Sequence, residues 1–260
     1  MRYAALTDVG MLRRNNEDSF HADGRIFAVA DGMGGHRAGE VASAMAVEAF
    51  VRYAKENASL EPLRRMEQGI RAANDLLVSM ARRDPDLAGM GTTFTAVVVE
   101  GGVYLGHVGD SRAYLMRDGS LRRLTRDHSL VEKMLREGSL TREEAQAHPG
   151  RNVILRALGV SPEVEVDLAR VEVLPGDLIL LCSDGLSVSV EDGELETLLR
   201  RVGDLEEGCR RLVEVSNARG GVDNVTVILV RLEEGDDLGL PSGGRRRWGA
   251  GLGGLFRRRR

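Results

Sequence analysis

The chain has 260 residues, 42% of them apolar and 29% charged, with 36 Lys+Arg against 40 Asp+Glu, which describes a soluble globular protein able to bury a full core. The charge is uneven: residues 1–232 carry a net −7 and residues 233–260 a net +3, so an acidic body argues against nucleic acid as the main partner. No apolar run reaches the ~18–20 residues of a membrane span; Met1 leads straight into strand-like sequence without a signal-peptide pattern, and a cytoplasmic location is expected.

In chain order, Tyr3–Leu6 reads as a strand, followed by a polar loop through Asp18 and a second strand, Ile26–Ala30, that ends at Asp31. Apolar residues at helical spacing predict a helix from about Gly39 to Glu56, and a second one starting at Glu61-Pro62. The period then changes. Thr92–Glu100, Val103–Val108, Ala113–Met116 and Leu121–Leu124 read as consecutive strands, with Gly101-Gly102 and Asp118-Gly119 as hairpin turns. Residues 125–152 are polar and short-helical, an insertion expected to lie over a site. Val164–Val173 and Asp177–Ser183 resume the strands, helices follow near Asp192–Arg201 and Asp204–Ala218, and Asn224–Leu232 is the last strand. Two strand groups, each with its own helix pair, predict an α+β fold: two face-to-face antiparallel sheets with helices outside. One domain is expected over residues 1–232, then a disordered Gly/Arg-rich tail over 233–260.

Five acids sit at the ends of apolar runs, in turns rich in small residues: Glu17, Asp31, Asp110, Asp184 and Asp223. A single Asp-Gly is usually only a turn pair. Five in matching contexts predict a cluster of oxygen ligands, which suits Mg²⁺ or Mn²⁺ and not Zn²⁺. Clustered carboxylates repel one another unless a cation neutralises them, and two such ions ~3.5–4 Å apart can activate a water for attack on phosphorus. Arg13 and Arg14, just before Glu17, offer a planar fork for phosphate oxygens. Cys182 and Cys209 have no ligand or redox spacing and neither opens an Arg-terminated phosphate loop, which excludes a cysteine phosphatase. The only lysines, Lys55 and Lys133, follow no Gly-rich loop, which argues against a P-loop nucleotidase.

Asp8-Val9-Gly10 with Arg13 and Asn16-Glu17-Asp18, then Asp31-Gly32-Met33-Gly34-Gly35-His36, Met90-Gly91-Thr92-Thr93, Gly109-Asp110-Ser111-Arg112, Thr125-Arg126-Asp127-His128-Ser129, Ser183-Asp184-Gly185-Leu186 and Asp223-Asn224-Val225-Thr226 resemble, in order, the motifs of the bacterial branch of the metal-dependent Ser/Thr protein phosphatases of type 2C. The resemblance implies an α-β-β-α sandwich and single-step hydrolysis of phosphoserine and phosphothreonine by a metal-activated water. It implies two Mn²⁺ or Mg²⁺ ions: Asp31 bridging both, the Gly32 carbonyl on the first, Asp184 and Asp223 on the second, and Glu17 reaching that shell through water. Asp110 with Asp184 would hold a weaker third ion, and Arg13 would clamp the phosphate. Residues 125–152 would be the flap beside the site, with His128 bracing its base. Asp18 and His36 are further candidates. The eukaryotic branch carries a His directly after the bridging Asp-Gly; Met33 stands there in this chain, and His36, three residues on, is open between local structure and catalysis.

Implied partners are phosphorylated proteins, Ser/Thr kinases and their substrates among them, met by a monomer. Two rival readings are a metal-dependent phosphodiesterase and a catalytically weak phosphoprotein-binding module; the intact Asp31, Asp184 and Asp223 weigh against the second. The tail, with Arg245-Arg246-Arg247-Trp248 and Leu255-Phe256 before Arg257–Arg260, is open between a solubilising segment and weak contact with an anionic membrane surface.

Overall fold

A computed structural model describes residues 1–34 and 38–239. The strands are β1 (Arg2–Asp8), β2 (Asp18–Ala22), β3 (Ile26–Met33), β4 (Gly91–Thr92), β5 (Phe94–Val99), β6 (Val103–Val108), β7 (Arg112–Arg117), β8 (Ser120–Arg123), β9 (Asp167–Val171), β10 (Leu178–Cys182) and β11 (Val225–Arg231). The helices are α1 (Ala38–Glu56), α2 (Pro62–Arg83), α3 (Leu130–Arg136), α4 (Arg142–Ala147), α5 (Asp184–Ser187), α6 (Asp192–Leu199) and α7 (Leu205–Ala218).

One sheet has the order β1-β11-β10-β7-β8, the other β2-β3-β5-β6-β9 with β4 paired to β3. All pairings are antiparallel. Both sheets are covered on both faces, which explains why their central strands read as continuous apolar runs and not as alternation. In β10 all five residues are buried. Ile179 and Leu181 enter the layer between the sheets with Phe27, Val29, Leu105 and Ile228, while Leu178, Leu180 and Cys182 face the α6–α7 side with Leu195, Leu199 and Leu212. On the other flank, Ala28, Ala30 and Phe94 pack under α1 and α2 through Phe50, Met66 and Ile70. The predicted α-β-β-α sandwich is the observed architecture.

Helix starts follow their sequence signals. Glu61 caps α2, its carboxylate accepting from Arg64 N at 2.9 Å with Pro62 in the first turn; Thr141 and Glu144 close a reciprocal capping box on α4. The segment predicted as an insertion is closed at its root by two backbone bonds, Leu130 N to Val153 O and Leu155 N to His128 O.

Several expectations change. The polar loop through Asp18 gives way to β2, whose edge position leaves it half-exposed and weakly patterned. The strand expected to stop at Ala30 continues to Met33 because Gly32 and Met33 pair with Thr92 and Gly91. The run Thr92–Glu100 is interrupted at Thr93 between β4 and β5. Beyond residue 232, Leu238 is buried among the inter-sheet residues, and Asp236 holds the Met1 ammonium at 2.6 Å. Residues 240–260, with the Arg clusters and Trp248, lie outside the described residues, as does His36. Among the described residues no helix is long and apolar enough to cross a membrane.

Candidate active site

The chain brings its acids to one end of the sandwich. Asp18 opens β2 directly opposite Asp31 on β3; Asp110 lies in the turn between β6 and β7, Asp184 follows β10, and Asp223 precedes β11 by two residues. Antiparallel pairing makes this convergence: Cys182 is in register with both Arg112 and Val227, so the chain on either side of β10 leaves the sheet at the same level.

Two glycines let the loops close. At Gly32 an added Cβ would stand 2.1 Å from the Gly39 carbonyl oxygen and 2.6 Å from that of Glu17, so only glycine lets β3 pass under the start of α1. Gly10 has φ +77° and would place a Cβ 2.3 Å from the Asp223 carbonyl oxygen, which packs the Arg13 loop against the Asp223 loop. Met11 N completes this seam by donating to Gly221 O at 2.7 Å.

Of the pocket's acids Asp18 is the least exposed, at 8%. Its Oδ2 accepts from Ser183 Oγ and from Thr226 Oγ1, both at 2.7 Å, so one carboxylate ties β2 of one sheet to β10 and β11 of the other. Its Oδ1 is buried without a partner, as are Oδ1 of Asp110 and Oδ1 of Asp184. Burial drives the carboxyl group of Asp18 up to about 7 against the pull of the two hydroxyls. Asp110 rises to about 8 through burial and then the Asp184 charge, and Asp184 to about 6 through burial and then Asp223. Asp31 is raised well above the carboxylate range by burial and by Asp18, Asp184, Asp110 and Asp223 in turn. Each acid thus feels several of the others, and like charges at such range need a cation or a proton.

As they stand, however, no three Asp, Glu, His or Cys side chains among the described residues are arranged to hold a metal ion. One contact bears on this: Asp223 is committed elsewhere, its Oδ2 accepting from Arg13 Nη2 at 2.7 Å and its Oδ1 from Asn224 N at 2.8 Å. The residue types and their convergence fit hard cations, since the orphaned pocket oxygens of Asp18, Asp110 and Asp184 are all carboxylate oxygens; a ligand sphere that includes Asp223 requires Arg13 to release it.

Arg13 therefore sits at the pocket, half-exposed, its guanidinium charge held by Asp223, Glu17 and Asp31 against the cost of burial. The Glu17 carboxylate packs against the first turn of α1, its oxygens 3.0 Å from the position of a Gly39 Cβ. Burial raises its pKa, opposed by Arg13.

Sequence reasoning assigned no supporting role to Asn224, Thr93 or Arg112. Asn224 Oδ1 accepts from Glu17 N at 2.8 Å, and its Nδ2 donates to Val9 O and Asn15 O, fixing the Arg13 loop to β11. Thr93 interrupts its strand for a reason: its Oγ1 accepts from Asp31 N at 3.0 Å and meets Ser111 Oγ at 2.7 Å. Arg112 forks onto Asp127, Nη2 to Oδ2 at 2.6 Å, and lowers the pKa of Asp110 and Asp184. His128 braces the segment's root as expected, Nδ1 accepting from Gly109 N at 3.1 Å and Nε2 lying 3.2 Å from Asp167 Oδ2. His107 is a sheet histidine bonded to Thr95 and to Arg126 O, with burial lowering its pKa to about 4.

The bridging role of Asp18 gives a direct expectation. Asp18→Ala removes the acceptor shared by the Ser183 and Thr226 hydroxyls and should destabilise the metal-free protein by about 1–3 kcal/mol, while Asp18→Asn, which keeps an acceptor, should stay near wild type. Urea unfolding in EDTA measures both.

The sequence profile described as protein phosphatase 2C matches residues 13–224. A serine/threonine protein phosphatase PstP of Mycobacterium tuberculosis is 44% identical over 239 residues, 91% of this chain and 46% of that protein; this chain spans about half the length of that relative. A serine/threonine phosphatase stp of Listeria welshimeri is 43% identical over 234 residues, 86% of this chain and 93% of its own length. Among solved structures, the catalytic domain of PstP in complex with two manganese ions superposes with a TM-score of 0.83 at 42% identity, covering 90% of this chain and 98% of that one. A profile that spans every acid of the pocket except those outside the matched range, of which there are none, leaves one assignment: this chain belongs to the protein phosphatase 2C family.

Proposed function

We propose that this chain hydrolyses phosphoserine and phosphothreonine monoesters of proteins, in a reaction that depends on Mn²⁺ or Mg²⁺. The observation that carries the reading is the set of three buried carboxylate oxygens, on Asp18, Asp110 and Asp184, that no protein donor satisfies, gathered beside an arginine. The relatives support it, and the two manganese ions named for the PstP catalytic domain correspond in number to the catalytic pair inferred from the motifs. Asp31, Asp184, Asp223 and the Gly32 carbonyl would hold that pair, with Glu17 acting through water and Asp110 with Asp184 serving a third ion. Bound there, the ions offset the clustered negative charge, acidify a water and polarise the phosphoryl oxygens.

The chain's own residues do the rest. Arg13, once released from Asp223, presents a guanidinium fork to the phosphate oxygens and stabilises the charge they develop. Asp18, Thr93 and Asn224 anchor the segments that carry Asp184, Asp31 and Glu17 through Ser183 Oγ, Asp31 N and Glu17 N. A covalent cysteine route has no support: Cys182 and Cys209 are buried and burial pushes both thiols up to about 12, too high to supply a thiolate. Phosphorylated Ser/Thr kinases and their substrates in the cytoplasm are the proposed partners, met by a monomer.

Phosphate release from a phosphothreonine peptide should require Mn²⁺ and stop on EDTA treatment, with no turnover of a cyclic or polymeric diester. Diester hydrolysis at a comparable rate would favour the phosphodiesterase reading instead.

A further inference from the structure

Apart from the carboxylate pocket, a groove of about 1370 Å³ runs between α2 and the segment carrying α3, with Val166, just before β9, and Leu168, within it, among its lining. Its formal charges look balanced, but they are not equally available. Each acid on its walls is already engaged. Glu67 pairs with Arg71 at 3.1 Å, Glu165 and Asp167 with Arg156 at 2.8 and 3.2 Å, and Glu61 caps α2. Asp127 and Glu132 are held by Arg112 and Arg123, which stand outside the lining. Four cations on the walls, Arg64, Arg126, Lys133 and Arg136, are exposed and form no ion pair among the described residues. They come from three places: Arg64 from α2, Arg126 from the loop before α3, and Lys133 and Arg136 from α3 itself.

Cations spread over two facing walls suit a chain with several separated charges better than one compact anion, which calls for a convergent fork. The groove also reaches the site: His128 lines it and accepts from Gly109 N, the residue before Asp110. We propose that this groove docks an acidic segment of the protein substrate, at a distance in sequence from the phosphorylated residue. The identity of that partner as a substrate rests on the phosphatase reading; the binding itself does not.

The test is fluorescence anisotropy of a labelled, unphosphorylated Asp/Glu-rich peptide of twelve residues, with a Ser/Gly peptide and a DNA oligonucleotide of equal charge as controls. The full chain is used, so that the Arg-rich tail competes. Wild type should bind the acidic peptide, weaken as salt rises, and prefer it to DNA. Combining Arg64→Glu, Lys133→Glu and Arg136→Glu should weaken binding by at least about tenfold, with p-nitrophenyl phosphate turnover unchanged. The single variants Arg64→Glu and Lys133→Glu, one on each wall, should each give a smaller loss in the same direction. Binding that survives the triple variant, or DNA bound as tightly as the peptide, overturns the proposal. Absent turnover of p-nitrophenyl phosphate by wild type, with groove-dependent binding intact, sinks the phosphatase reading alone.

Discussion

Asp184→Asn is expected to lower Mn²⁺-dependent hydrolysis of a phosphothreonine peptide by at least about 10³-fold, the scale of losing a metal ligand or a major electrostatic contact at a reacting phosphoryl group. Two features of the pocket distinguish this from general damage. Asp184 is pressed upon by Asp223 and its Oδ1 has no donor, so replacing it by a neutral isostere relieves repulsion in the metal-free protein. Its melting temperature in EDTA should therefore equal or exceed that of wild type, and its far-UV circular dichroism should be unchanged. The activity loss should come without a stability loss. Wild-type-like turnover by purified Asp184→Asn removes the residue from the metal site, whereas an unfolded variant would place it in the structural frame.

Arg13→Ala should lower kcat/KM for the same peptide by about 10–100-fold, the equivalent of ~1.5–3 kcal/mol for a charge-assisted hydrogen bond. The informative readout is the ion affinity. Arg13 donates to Asp223 at 2.7 Å in this structure, so it competes with any cation for that carboxylate. Its removal should leave Mn²⁺ affinity undiminished or strengthened while hydrolysis falls. Arg13→Lys keeps the charge and loses the planar fork, and should recover only part of the rate. Parallel losses of Mn²⁺ affinity and rate in Arg13→Ala would mean that the residue supports the pocket and does not grip phosphate.

The layers of this fold were legible because both sheets are covered on both faces: uninterrupted runs such as Leu178–Cys182 announce buried strands, and the amphipathic stretches of α1 and α2 announce their cover. β2 was not legible, since an edge strand reading Asp-Ser-Phe-His-Ala has neither a continuous apolar run nor clean alternation. α5 was hidden by its length of four residues and by Asp184-Gly185, which reads locally as a turn. The acids of the pocket were visible from their contexts, but their bracing was not. The bonds from Asp18 to Ser183 and Thr226 span 165 and 208 positions, and Asn224 reaches Glu17 across 207; no local pattern encodes contacts that the register of two sheets creates. The pairing of Arg13 with Asp223, 210 positions apart, was equally out of reach, and it changes the reading of both residues. The groove beside α2 escaped for the same reason, because Arg64 on α2 and Lys133 on α3 come to line one groove only through the fold.

The phosphatase reading requires that Asp31, Asp184 and Asp223 capture hard cations together. Calorimetric titration of the EDTA-treated, dialysed protein with Mn²⁺, run beside Asp31→Asn, measures that capture without reference to any substrate. The wild type should take up at least two ions per chain, and Asp31→Asn should lose the tightest of them. Failure of the wild type to bind Mn²⁺, or equal uptake by Asp31→Asn, would contradict a metal centre at this pocket.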